Sequence, residues 1–137
     1  MKRDAIYLDV AQRQRAVEEI LRSFQKRAIE IKALCVDEVH LHALARVLDH
    51  NPRHHMGVAK RECSHYMKVD GLAPVGGLWA VRCECVPIAD EPHFLNVDDY
   101  ILDHEDHGAA IWPARVIDPS YSTNPMADFN PDDLLLE

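Results

Sequence analysis

Markers of the familiar classes are scarce in this chain of 137 residues. No apolar run approaches the ~18 residues that a membrane-crossing helix requires. Neither Gly-x4-Gly-Lys-Ser/Thr nor Gly-x-Gly-x2-Gly occurs, so no glycine loop that cradles phosphates is readable. Positive charge is in deficit: 15 Lys and Arg stand against 23 Asp and Glu, a formal charge of −8. That balance excludes a general nucleic-acid binder, which works by displacing counterions from many phosphates. No apolar segment follows Met1-Lys2-Arg3, so a secretory signal is not expected, and the four Cys read as reduced thiols of a cytoplasmic protein. What is present is the material for one domain. Apolar residues make up 47% of the chain, and a domain of this length can bury roughly two thirds of its unfolded surface.

Gly and Pro are also missing between residues 5 and 50. Val10, Val17, Ile20, Leu21, Phe24, Ala28 and Ile31 recur at the three-and-four spacing of an amphipathic helix. A second stripe, Val36, Val39, Ala43, Leu44, Val47 and Leu48, predicts another helix, rotated from the first, with a break near Cys35–Asp37 and Asp37 as its N-cap. Asn51-Pro52 is expected to end it. Residues 62–69 and 78–86 alternate and flank Asp70-Gly71 and Gly76-Gly77, which predicts a β-hairpin. Residues 91–105 suit a short helix with Phe94, Val97 and Ile101 inward, and 109–117 an edge strand interrupted by Pro113. The expected architecture is α+β: two N-terminal helices packed on a small, mainly antiparallel sheet, with a single domain over 1–118 and an acidic, Pro-containing tail over 119–137, mobile or docked.

Antiparallel pairing of the expected hairpin would place Cys63, His65, Cys83 and Cys85 on one face. Three thiols and an imidazole are a tetrahedral zinc set. Cys-x-His and Cys-x-Cys on straight strands lack the tight turn that zinc knuckles use, and the same face reads as apolar core. The nine His suggest a second candidate, a small-molecule binding or hydrolytic pocket lined by His40, His54, His55 or His65. On a helix, His40 falls in the apolar stripe and His42 on the opposite side. The run Asp103-His104-Glu105-Asp106-His107 reads as a solvated acidic turn or a carboxylate–imidazole cluster at i, i+3. No catalytic residue can be assigned from these patterns.

The charge is unevenly distributed. Residues 1–34 carry eight bases and five acids, 35–85 carry six of each, and 86–137 carry Arg115 alone against twelve acids. The expected function is therefore a non-enzymatic binding or inhibitor protein. It would present Asp98, Asp99, Tyr100, Asp103, Glu105, Asp106, Phe129, Asp132 and Asp133 to a basic site on a macromolecular partner, such as a protein that handles nucleic acid. The basic first helix, with Arg15, Arg22, Lys26 and Lys32, is an alternative partner for the acidic segment, within the chain or in a homodimer.

Overall fold

The computed structural model describes residues 7–73, 79, 83–117 and 122–137. Helix α1 (Val10–Lys26) begins at the first residue of the expected apolar stripe. The Asp9 carboxylate accepts from the Gln12 N–H and the Gln12 amide oxygen accepts from the Asp9 N–H, both at 2.8 Å. This reciprocal cap satisfies two amide groups that would otherwise lack partners. One face is buried through Ala16, Val17, Ile20 and Phe24. The helix ends five residues before Ile31, as Ala28 adopts a left-handed backbone (φ 57°) that turns the chain into a strand.

The expected second helix is instead a β-hairpin, β1 (Glu30–Val36) and β2 (Leu41–Arg46). Asp37 does cap, but it caps the turn: its Oδ1 accepts from the Val39 and His40 N–H groups. Then comes α2 (Pro52–Val69), so Pro52 opens a helix rather than closing one. A proline at the first helical position loses no intrahelical hydrogen bond. The expected first arm of the 62–86 hairpin is thus helical, with Met56, Ala59, Cys63 and Met67 buried at helical spacing. Of its second arm, Leu78 and Ala80 to Arg82 lie outside the described residues, as does the Gly76-Gly77 turn. The chain continues with β3 (Cys85–Pro87), α3 (Glu91–Leu102), a 3-10 turn (Asp103–His107) and β4 (Ala110–Trp112). A two-stranded ribbon follows, β5 (Val116–Ile117) with β6 (Ser122–Thr123), and last β7 (Asp133–Leu136).

The five-stranded sheet has the order β3-β7-β2-β1-β4, and every neighbouring pair is antiparallel. The fold is α+β, but only one helix precedes the sheet. The C-terminal segment set apart as a tail begins outside the described residues and then supplies β7, which lies between β3 and β2. Both faces of the sheet are covered. Phe24, Ile31, Leu34, Leu41, Ala43, Met56 and Leu136 pack together on the α1/α2 side. Ala33, Cys35, Leu44, Phe94, Ile101 and Leu135 pack on the α3 side. Among the described residues no helix is long and apolar enough to cross a membrane.

A register shift between Ile31 and Ala33 marks a bulge in β1. It turns Lys32 toward the α3 side, where its ammonium lies 5.3 Å from the Phe94 ring centre. Lys32 is fully buried there, 2.9 Å from the fully buried Asp133 carboxylate, and also donates to the Asp128 carbonyl. Of the four basic residues expected to meet the acidic segment, only Lys32 does so in these contacts. Arg15 binds Glu19 and Asp70, Arg22 binds Glu19, and Lys26 binds Glu62.

Candidate functional site

Because β2 is a strand, its alternate residues share a face. His42 points to the α3 side, with Leu44 two residues on. It pairs with Cys35 on β1, and the β2–β7 register places it opposite Glu137. Glu137 in turn exchanges backbone hydrogen bonds with Glu84, at 3.0 and 3.1 Å. A transverse row therefore runs from Glu84 and Glu137, just beyond the ends of β3 and β7, to His42 on β2 and Cys35 on β1. Helix α3 lays Tyr100 over it, and the 3-10 turn that follows adds His104, four residues on. The Tyr100 ring meets His42 edge-on with centroids 5.6 Å apart, His104 lies 5.3 Å from His42, and Tyr100 and His104 are 4.8 Å apart. His40 stacks on His42 at 6.1 Å.

The protonation states follow from the surroundings. His104 Nδ1 sits 2.6 Å from the Tyr100 carbonyl, which only accepts, so that nitrogen carries the hydrogen and Nε2 keeps a lone pair when the ring is neutral. Burial holds His42 below the usual histidine pKa; Glu137 and Asp37 pull it back up, while His104 and His40 oppose them. His42 Nδ1 is buried without a hydrogen bond and lies 3.6 Å from a Glu137 carboxylate oxygen. A small rotation would complete a carboxylate–imidazole pair, leaving Nε2 for a substrate proton. Tyr100 is 51% exposed and reachable. Cys35, beneath His42, is fully buried with its thiol pushed up to about 12, so it stays protonated and inert.

The zinc set of the sequence reading does not converge. Cys63 and His65 are two residues apart on α2, about 200° around the helix. Cys63 is fully buried against Met67, its thiol pushed up to about 12 by burial, while His65 is exposed beside Tyr66. Cys83 and Cys85 are close, with sulfurs 3.9 Å apart. Among the described residues no group of three or more His, Cys, Asp or Glu is set to hold a metal ion. The histidine pocket is redistributed as well: His40 belongs with His42, His55 lines a separate cavity, and His54 and His65 are exposed.

The acidic residues divide. Asp133 is buried on Lys32, and Asp98 is buried, accepting from Asn124. Phe129 packs on Phe94 at 6.0 Å. Asp99 and Asp103 pair with Arg115, and Asp132 approaches Arg46. Asp99, Tyr100, Asp103, Glu105 and Asp106 remain exposed along α3 and the following turn. Burial raises the Asp98 carboxyl above the usual range, with the Asn124 amide opposing. A raised folded-state value contributes stability at low pH that is lost as pH rises through it. Asp98→Asn keeps an acceptor for Asn124 and removes this loss. Its melting temperature relative to the parent is expected to become more favourable from pH 4 to pH 7 in paired thermal melts.

Comparison with protein-family models, with curated proteins and with solved structures finds no match to this chain.

Proposed function

We propose that the protein is a group-transfer enzyme acting on a phosphoester, with Tyr100 as nucleophile and His42 as its general base. The observation that carries this reading is the packing of His42 and His104 on one exposed tyrosine, with His40 stacked on His42 and a Glu137 carboxylate oxygen 3.6 Å from His42 Nδ1. In the first step the Tyr100 oxygen attacks phosphorus and its proton passes to His42 Nε2. The bond from phosphorus to the leaving alcohol breaks, and the alcohol takes the proton from the imidazolium. Water or a second alcohol then attacks the phosphotyrosine and restores the phenol. When protonated, His104 offers its Nε2–H, and His40 a donor beside His42, to the phosphoryl oxygens, whose charge is the main one to be stabilised in phosphoryl transfer.

The surrounding acids disfavour a polyanion held along its length, in keeping with the charge arithmetic. They leave room for recognition of one phosphoester at the imidazole cluster. The test is incubation with bis(p-nitrophenyl) phosphate and with short single-stranded and duplex DNA, each with and without Mg2+ or Mn2+. Intact-mass analysis and peptide mapping then locate any adduct. A phosphoryl adduct on Tyr100 is expected; neither turnover nor adduct under any condition would refute the assignment.

The exposed acidic stretch supports a second reading, the binding or inhibitor role. Asp103, Glu105 and Asp106 stand free of the core and would steer a basic macromolecule toward Tyr100. A pull-down comparing the parent with Asp103→Asn/Glu105→Gln/Asp106→Asn should lose a partner in the variant and in high salt. Unchanged retention in both would count against this role.

A further inference from the structure

At the end of β2 remote from His42, a cavity of about 310 Å3 opens between the α1–β1 turn, the β2 exit and the first turn of α2. Its walls include Arg27, Arg46 and His55, and each has a buried side-chain nitrogen with no hydrogen-bond partner: Arg27 Nη1 and Arg46 Nε, which are donors, and His55 Nδ1, which donates only when the ring is protonated because Nε2 faces the Asp49 carboxylate. Buried polar nitrogens are ordinarily satisfied, and three in one wall are unusual for a region without a ligand. Arg27 is the most telling. Among the described residues its guanidinium donates to neutral oxygens alone, the Ser23 carbonyl and hydroxyl at 3.3 Å and the His55 carbonyl at 2.7 Å, and lies 5.6 Å from the Phe24 ring centre. Glu62 and Asp49 influence it from further away, but Glu62 is engaged by Lys26 and Asp49 by His55 at 2.5 Å. Arg46 is only loosely paired, its Nε being 3.9 Å from Asp132. Burial lowers the Arg27 pKa, the signature of a cation short of compensation.

The wall also holds Glu30 and Asp49, so the cavity is not uniformly cationic. Glu30 is exposed, and the His55 hydrogen bond occupies Asp49. From these positions we infer that the cavity is a binding site for a small oxyanion, a phosphate or carboxylate group held by the guanidiniums of Arg27 and Arg46. Guanidinium forks match such groups with paired, charge-assisted hydrogen bonds. Two left-handed non-glycine residues, Ala28 (φ 57°) in the wall and His50 (φ 58°) beside it, hold the two turns that frame the cavity. The site is distinct from the Tyr100 cluster: Arg46 lies four residues along β2 from His42, roughly 13 Å away at strand rise.

The test titrates the full chain with inorganic phosphate, and in parallel with acetate, against sodium chloride at matched ionic strength. It follows backbone amide shifts of Ala28 and of residues 46–49 by NMR. Saturable shifts with one of the two anions are expected, and which one responds identifies the oxyanion. Arg27→Gln and Arg46→Gln should each weaken the response by about tenfold or more. Arg22→Gln, an exposed arginine outside the cavity, should leave it intact. If Arg27→Gln does not fold, Arg46→Gln, at a partly exposed position, decides alone. Shifts equal to those in chloride, or saturable shifts unchanged in Arg46→Gln, would overturn the site.

Discussion

Replacing Lys32 by methionine is expected to destabilise the protein by about 3–5 kcal/mol, the cost typical of removing one partner from a buried ion pair. Lys32 and Asp133 have fully buried side chains, 2.9 Å apart. Methionine keeps the packing on Phe94 but leaves the Asp133 carboxylate in the interior with the Asn130 N–H as its remaining partner, its other oxygen already unpaired. Lys32 also holds the Asp128 carbonyl, so the 128–133 loop loses its anchor on β1. Urea unfolding should show a lower midpoint. In the double variant Lys32→Met/Asp133→Leu no isolated charge is left, and much of the loss should be recovered; a double-mutant cycle reads the coupling directly. A double variant as unstable as the sum of both singles would show that the pair is not the source. The exposed Lys26–Glu62 pair sets the contrast, since surface pairs contribute about 0.2–1 kcal/mol.

This ion pair also accounts for part of the charge asymmetry. Twelve acids against one base in residues 86–137 suggest an external surface, yet Asp98 and Asp133 are internal, and Asp99 and Asp103 meet Arg115. Composition counts charges without showing which are enclosed by the fold. That Lys32 would reach Asp133 depends on a bulge in β1 and on the insertion of β7 between β2 and β3, neither of which leaves a local signature.

Helices α1 and α3 were legible because each buries one side. Val17, Ile20 and Phe24 in the first, and Phe94, Val97 and Ile101 in the second, repeat with helical period and follow a capping aspartate. The β1–β2 hairpin was not, because the sheet is covered on both faces. Leu41, Ala43 and Ala45 go to one side and Leu44 to the other. Apolar residues therefore occur at both parities and imitate a helical stripe. The β-branched Ile31 and Val36 of β1 are the available counter-signal. A helical assignment of residues 36–48 conceals the candidate site. On a helix His40 and His42 diverge; in the extended chain entering β2 they stack, and the relation of Tyr100 to His104, four residues apart, acquires a partner below it. Pro52 misled in a similar way, since the same residue that cannot continue a helix is favoured at the start of one.

Tyr100→Phe is expected to abolish adduct formation and reduce phosphoester turnover to background, while leaving the fold intact. The ring keeps its edge contact with His42 and only an exposed hydroxyl is lost. Replacing the base has a graded effect: His42→Ala should lower kcat by about 10²–10⁴-fold, the usual contribution of a positioned general base. Glu137→Gln should reduce it less, because the carboxylate acts by orienting His42 and favouring its protonated form. The pH profile separates catalysis from structure. Burial depresses the His42 pKa below 6.5, so its neutral, base-competent form persists to lower pH than for a free histidine. The acid limb of kcat against pH should accordingly fall below pH 6.5 in the parent. In Glu137→Gln the loss of a carboxylate that raises the His42 pKa should move the limb lower still. An acid limb that stays fixed in this variant would remove His42 from the role of base. Turnover unaffected by Tyr100→Phe would remove the tyrosine as nucleophile.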